Sequence, residues 1–218
     1  EGYRSEAIKI VNDMAAKLNV KNVVYRYKDM FGYTIDEVQA IRNQISSCTI
    51  CGTFRRRGLD MAAKELGVDV LLTAHNLDDI LQSYFIMLLN GDVNKIMTFS
   101  PAVEASEAFG IKKAHPFIYI YEKEISMFAY LKGFNMQTVT CPYMNQGIRS
   151  EIRTYLNKME EEHPGIKYQL LNSFIRLKDA RPKVYGTYCK KCGWPSRGEI
   201  CQVCSIIDML NENKSRAK

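Results

Sequence analysis

The stretch Val68-Asp-Val-Leu-Leu-Thr-Ala-His-Asn-Leu-Asp-Asp79 decides the fold. Val68 to Thr73 is short, apolar and rich in branched residues, which predicts a strand. Asn76 or Asp78 can cap a helix running to about Leu89 and ending at Asn90-Gly91. Upstream, a helix from about Thr53 to Leu66 is stopped by Gly67. Helix and strand alternating in this way predict a parallel sheet flanked by helices, an α/β fold. In open sheets of that kind ligands sit beyond the carboxyl ends of the strands, which is where Thr73 to Asp79 falls.

Working outward, apolar positions at Ile8, Val11, Met14, Ala15 and Leu18 predict a helix over 3–18. Val23-Val24-Tyr25 reads as a short buried strand. Thr34-Ile-Asp-Glu37 is a capping box opening a helix to about Ile45. A loop carrying Cys48 and Cys51 follows. Downstream, residues 92–115 read as irregular, and Tyr121 to Lys132 as a helix ended by Gly133. Met136 to Thr140 reads as a strand with Cys141 just past its end, and two helices cover about 147–162 and 166–178. Pro182 marks a boundary between an α/β domain (1–182) and a terminal module (183–218) whose tail, from Asn211, is expected to fray. The chain shows neither G-x-x-x-x-G-K-[ST] nor G-x-G-x-x-G and begins in what reads as the second unit of its domain, so the expectation is an N-terminally incomplete fold.

The formal net charge of +6 suits a polyanionic partner, although moderately basic proteins without one are common. No apolar run approaches the roughly 18 residues of a membrane span. The polar opening Glu1-Gly-Tyr-Arg-Ser-Glu6 argues against a signal peptide, so a soluble cytoplasmic chain is expected. In such a compartment the 7 cysteines point to metal or redox chemistry rather than to disulfides.

Four of them, Cys189, Cys192, Cys201 and Cys204, form two C-x-x-C knuckles across a hairpin. Four soft thiolates in two close pairs fit tetrahedral zinc with a closed coordination sphere, a structural site. Cys48, Cys51 and Cys141 remain. They read as three ligands of an iron–sulfur cluster with one open corner, as a persulfide-carrying redox set, or as ordinary buried cysteines. The dipole of the following helix and the cations Arg55, Arg56 and Arg57 favour thiolates there. The three arginines cannot share one helix face, so one is expected to point at the cysteines. Asp78 and Asp79 can hold magnesium, and Thr73 and Ala74 admit a flat ring; the alternative is an ordinary helix cap. Arg149, Arg153 and Lys158 suggest a basic stripe for nucleic acid. His75 and His115 lack a partner at metal-binding spacing.

Read together, Cys48-Thr-Ile-Cys-Gly-Thr-Phe-Arg-Arg-Arg57, Thr73-Ala-His-Asn-Leu-Asp-Asp79, Pro116-Phe-Ile-Tyr-Ile-Tyr-Glu-Lys-Glu-Ile125, Cys141-Pro-Tyr143 and the terminal knuckles occur in an order that resembles the tRNA 2-thiouridine synthetases of the TtcA, TtuA and NcsA type. The resemblance covers nearly the whole chain, and the first and third of these stretches look closest to the NcsA branch. It implies a PP-loop ATP pyrophosphatase fold of the HUP-like class plus a zinc ribbon. It further implies adenylation of the C2 oxygen of a tRNA uridine by ATP, then displacement of AMP by sulfur. The uridine is expected at wobble position 34, with position 54 as the alternative. By the same resemblance Cys48, Cys51 and Cys141 hold a [4Fe-4S] cluster. Arg55 lies near the nucleotide phosphates, Ala74 meets the nucleotide, and Asp79 is an acidic active-site residue serving magnesium or substrate. A sulfur donor (sulfide or a ubiquitin-like thiocarboxylate protein) and a homodimer are implied too. The family's Ser-Gly-Gly-x-Asp-Ser phosphate loop has no counterpart here. Rival readings are a non-catalytic tRNA-binding zinc module and a thiol–disulfide oxidoreductase.

Overall fold

Gly67 turns the chain from helix into sheet. At φ 64 it ends a helix with its N–H on the Lys64 carbonyl, while the Val68 N–H reaches the Ala63 carbonyl at 3.1 Å. The computed structural model describes residues 2–41, 45–98, 104–106, 111–137, 139–143, 148–177, 187–196 and 198–216. They form two compact units, one of Glu1–Ala62, Ser126–Gln146 and Gln202–Lys218, the other of Ala63–Ile125 and Gly147–Cys201. The expected boundary at Pro182 lies outside the described residues.

The first unit carries α1 (Gly2–Leu18), α2 (Tyr27–Phe31), α3 (Ile35–Ala40), most of α4 (Ser47–Glu65) and α10 (Gln202–Arg216). Its core forms where Phe31 stacks on Phe54 at 4.5 Å and Tyr27 meets Phe54 edge-on at 5.9 Å. Ile50, Phe54 and Val38 are fully buried. Each such side chain contributes about 1.5–3 kcal/mol by leaving water. The Thr34–Glu37 capping box forms as read, with both reciprocal hydrogen bonds.

In the second unit β1 (Val70–Leu72) pairs in parallel with β3 (Ile111–Ala114), and β2 (Glu104–Ser106) runs antiparallel on the other side of β3. A parallel pair needs a crossover, supplied by α5 (Leu77–Leu89) and α6 (Val93–Thr98). Helix α5 is the centre of this core. Leu77 and Leu81 are fully buried against Ile152 and Leu156 of α8 (Arg149–Glu162) and Leu171 and Phe174 of α9 (Ile166–Arg176). Tyr84 stacks on Phe174 at 4.1 Å. Helix α7 (Glu122–Leu131) follows the sheet and stops at Gly133, φ 64. The α/β class with a parallel pair and flanking helices thus holds. Strands β4 (Thr187–Tyr188) and β5 (Pro195–Ser196) make a separate antiparallel hairpin.

Several sequence expectations are corrected. Val23-Val24-Tyr25 and the described part of Met136–Thr140 are not strands. Branched composition alone makes no strand without a partner edge, and Val23, Val24, Met136 and Val139 are all exposed. Helix α3 ends at Ala40, short of Ile45. Helix α4 starts at Ser47, six residues before the expected start, so the cysteine pair lies within it rather than in a loop. The tract 92–115 is not irregular: it holds α6, β2 and β3. Its Ile-Lys-Lys-Ala strand buries Ile111 alone and is held by pairing on both sides. The tail does not fray from Asn211, because α10 reaches Arg216 with Leu210 fully buried.

Candidate functional site

Ser46 sets the geometry of the first cysteines. Its hydroxyl accepts the Thr49 N–H at 3.3 Å, so helix α4 begins at once and carries Cys48 and Cys51 in its first turns. The two sulfurs therefore stand within the first turns of the helix, at the positive end of its dipole. Cys48 is exposed, and its Sγ donates to the Tyr143 carbonyl at 3.3 Å across 95 residues of chain. Tyr143 in turn donates from its hydroxyl to Asp36 of α3 at 2.5 Å. These two bonds fasten the Cys141-Pro-Tyr143 segment beside the cysteine pair, with Cys141 itself half-buried. Cys51 Sγ receives the Arg55 Nη2 donor at 3.6 Å and lies 3.8 Å from the Tyr27 hydroxyl. Burial and then the neighbouring sulfur push the Tyr27 hydroxyl up from its ordinary value. Arg55 is thus the arginine aimed at the cysteines. Arg56 reaches back to Thr53 Oγ1 at 3.4 Å, and Arg57 is buried. Cys48 and Cys51 thus share the first turns of α4, with an arginine alongside and with Tyr143, two residues past Cys141, bonded to Cys48.

At the carboxyl end of the parallel pair, the Thr73 N–H donates to the Ala114 carbonyl at 3.0 Å, and Ala74 is exposed. Asn76 caps α5 by accepting the Asp79 N–H at 2.9 Å, and the Asp79 carboxylate accepts the Asn76 N–H at 3.3 Å. The two acidic residues, read alike in the sequence, part here. Asp78 is not placed to hold magnesium. It is buried, pairs with Lys167 at 2.5 Å and accepts the Glu122 N–H at 2.7 Å. Lys167 also donates to Asn157 at 2.6 Å. Unforeseen by spacing, Thr73 Oγ1 bridges His75 Nδ1 at 2.7 Å and His115 Nδ1 at 2.5 Å, and the two rings meet edge-on at 5.2 Å. Burial first, then His75 and Lys113, push the His115 imidazole below its ordinary value. The sequence signal for this trio was positional: Thr73 and His115 each follow directly on one of two adjacent strands.

The terminal cysteines converge as read. The ligand atoms of Cys189, Cys192, Cys201 and Cys204 all lie within 4.8 Å of one another. A tetrahedral ion with metal–sulfur bonds of about 2.3 Å needs sulfurs about 3.8 Å apart, and Cys192 and Cys201 stand at 3.7 Å. Gly193, at φ 68, makes the knuckle turn and returns its N–H to the Cys189 carbonyl at 2.8 Å. The Cys201 N–H donates to Cys189 Sγ at 3.2 Å and, first among several backbone donors, holds that thiol down to about 6. Cys189 is therefore largely a thiolate at neutral pH. The proposed basic stripe is not a row of open cations. Arg149 donates to Gln82 and Ser83, Arg153 pairs with Glu122 at 3.3 Å and Lys158 with Glu162 at 3.8 Å.

No family model matches the chain. It is 32% identical to the cytoplasmic tRNA 2-thiolation protein 1 of Aspergillus niger over 219 residues, 99% of this chain and 64% of that protein. It is 30% identical to the tRNA 2-thiolation protein NcsA of Haloferax volcanii over 226 residues, 96% of this chain and 70% of that protein. Among solved structures, it resembles the U34-tRNA thiolase NcsA of Methanococcus maripaludis, determined with its [4Fe-4S] cluster. The TM-score is 0.81 at 28% identity, over 98% of this chain and 67% of that one. The chain thus spans about two thirds of the length of the relatives it matches. On the identity and coverage of the Haloferax relative together with the shared fold, the chain belongs to the tRNA 2-thiolation protein family of NcsA and cytoplasmic tRNA 2-thiolation protein 1.

Proposed function

We propose that this chain is the sulfur-inserting part of an ATP-dependent tRNA uridine 2-thiolase acting on the wobble uridine in the cytoplasm. The observation that carries the reading is the Cys48 Sγ bond to the Tyr143 carbonyl, which draws the Cys141 segment onto the Cys48–Cys51 helix. A solved relative of the same fold carries a [4Fe-4S] cluster and is a U34-tRNA thiolase, which supports both the cluster and the position.

In this reading Cys48, Cys51 and Cys141 hold the cluster. Held there by these three thiolates, the cluster would supply the sulfur-delivering chemistry. The chain's own residues prepare that site. Arg55 donates to Cys51 at the start of α4, and the Asp36–Tyr143 bond holds the third ligand's segment in place. At the strand end, Ala74 leaves room for the flat adenine. Asp79 sits in the first turn of α5, where its carboxylate serves magnesium or the substrate. Adenylation of the uridine C2 oxygen releases pyrophosphate, and sulfur then displaces AMP. Cys189, Cys192, Cys201 and Cys204 hold a structural zinc ion in a terminal module, residues 183–218, appended to the α/β part, residues 1–182. A homodimer, with sulfide or a thiocarboxylated ubiquitin-like protein as donor, completes the reading.

The test is mass spectrometry of tRNA nucleosides from cells lacking the gene, complemented with wild type or Cys141→Ala. Loss of 2-thiouridine at position 34, restored by wild type alone, is the expected result. Unchanged thiolation in the deletion strain would sink the reading, and a loss confined to position 54 would move its target. Protein purified without oxygen is expected to be brown, and Cys141→Ala to be colourless.

A further inference from the structure

The Thr73, His75 and His115 cluster has no part in the cysteine chemistry, and its hydrogen bonding is unusually constrained. A hydroxyl carries one proton, so Thr73 can donate to only one of the two Nδ1 atoms it touches. The other ring must carry its own Nδ1 proton and donate to the Thr73 oxygen. The two neutral imidazoles are thereby fixed in opposite tautomers. Placing a proton on both rings puts two cations 5.2 Å apart, between ring centres, which is unfavourable. The charged groups acting on His115 are His75 and Lys113, both cationic when protonated, and with burial they resist a charge there. Burial and the neighbouring cations resist a charge on His115, and a charge on one ring disfavours a charge on the other.

Its place is the carboxyl edge of adjacent parallel strands, directly before the cap of α5. Of the carboxylates of this segment, Asp78 is committed to Lys167, while Asp79 accepts the Asn76 N–H at 3.3 Å and belongs to the magnesium or substrate role proposed above. The imidazole pair bridged by Thr73 stands beside them.

Uridine chemistry calls for a base. When the C2 oxygen bonds to the α-phosphorus of ATP and pyrophosphate leaves, the C2–N3 bond becomes double and the N3–H bond breaks. When hydrosulfide then adds to C2, the C2–O bond breaks and AMP leaves with the oxygen and its bonding electrons. The hydrosulfide proton comes to rest on N3 as the C2=S bond forms. One proton is therefore released at activation and must be accepted in the site. We propose that the Thr73-bridged pair of His75 and His115 is the base that accepts the uridine N3 proton during adenylation, afterwards passing it to water. This rests on the adenylation reading above.

The experiment measures tRNA-dependent pyrophosphate release across pH, with wild type, His75→Gln, His115→Gln and the double variant, together with ATP and tRNA binding. The double variant is expected to lose about 10²-fold or more in rate with binding retained, the scale of a positioned general base. His75→Gln alone removes a cationic neighbour and is expected to move the acid limb of the profile to higher pH. A double variant as fast as wild type overturns the proposal, and so does a fall in rate fully explained by lost binding. Wild type that releases no pyrophosphate defeats adenylation, and the proposal with it. The bridge itself is tested without turnover by long-range nitrogen–proton NMR spectra of the imidazoles, only 3 in the chain. Opposite tautomers on His75 and His115, lost in Thr73→Val, are expected; identical tautomers overturn the proposal.

Discussion

Replacing Lys167 with methionine is expected to destabilise the protein severely, although Lys167 stands far from every cysteine in sequence. The side chains of Lys167 and Asp78 are 3% and 5% exposed and pair at 2.5 Å. Methionine fills the same space but leaves the Asp78 carboxylate buried, with the Glu122 N–H as its remaining described donor. It also strips Asn157 Oδ1 of the Lys167 ammonium. Removing one partner of a buried pair costs about 3–5 kcal/mol, because an uncompensated charge stays behind. For a chain of this length each kcal/mol moves the melting point by about 2–4 °C, so the fall is roughly 6–20 °C. Urea and thermal unfolding of Lys167→Met, Asp78→Asn and the double variant make the measurement. In the double variant neither partner leaves a bare charge, so its loss falls short of the summed single losses by about 1–3 kcal/mol. A Lys167→Met loss below about 1 kcal/mol, or strict additivity, would refute the argument that this pair locks α9 to the start of α5.

The cap of α5 gives a smaller effect. Asn76→Ala removes the acceptor of the Asp79 N–H and breaks the capping box, and urea unfolding is expected to show a loss of about 1 kcal/mol. Acid sensitivity is tied to Glu160. Burial works against its charge, but the Lys167 and Gly165 N–H groups and the Tyr121 hydroxyl outweigh that and hold its carboxyl below the ordinary range. A folded value below the unfolded one contributes stability above the unfolded carboxyl range that is lost as pH falls through the folded value. Unfolding midpoints over a pH series should therefore fall less steeply on acidification in Glu160→Gln than in wild type. For the terminal cysteines, elemental analysis should find one zinc per chain. Chelation, or Cys189→Ser, should raise hydrogen exchange across Thr187–Cys204, whose described strands are two residues long and cannot hold the hairpin alone.

The elements that were legible carried their own local signal. The Thr34–Glu37 box, the Asn76 cap and the glycine stops at Gly67 and Gly133 satisfy helix ends within a few residues, so sequence order reveals them. Elements defined by a partner were not. β3 is Ile-Lys-Lys-Ala, with one buried side chain, and exists because β1 and β2 flank it. Val23-Val24 and Met136 have strand-like composition but no described strand beside them, and the structure leaves them exposed. The start of α4 turned on one serine hydroxyl, which a C-x-x-C pattern hides.

The same distinction separates the candidate sites. Four cysteines in two C-x-x-C pairs state their geometry outright, because a single ion forces ligands close in sequence to be close in space. From the residues alone, joining the Cys48 and Cys141 segments was one reading among three, since nothing local in either points across 95 residues. The His75–Thr73–His115 bridge needed coordinates. His75 and His115 lie 40 positions apart with no motif between them, and they meet because β1 and β3 are adjacent and in register, Leu72 opposite Ala114. In a parallel pair, register alone sets which residues stand side by side just past the strand ends. A one-residue slip of β3 would carry His115 out of reach of Thr73 and turn its neighbours to the other face. The hydrogen bonds of β2 on the far side of β3 oppose that slip, so an edge strand helps to fix the histidine pair in place.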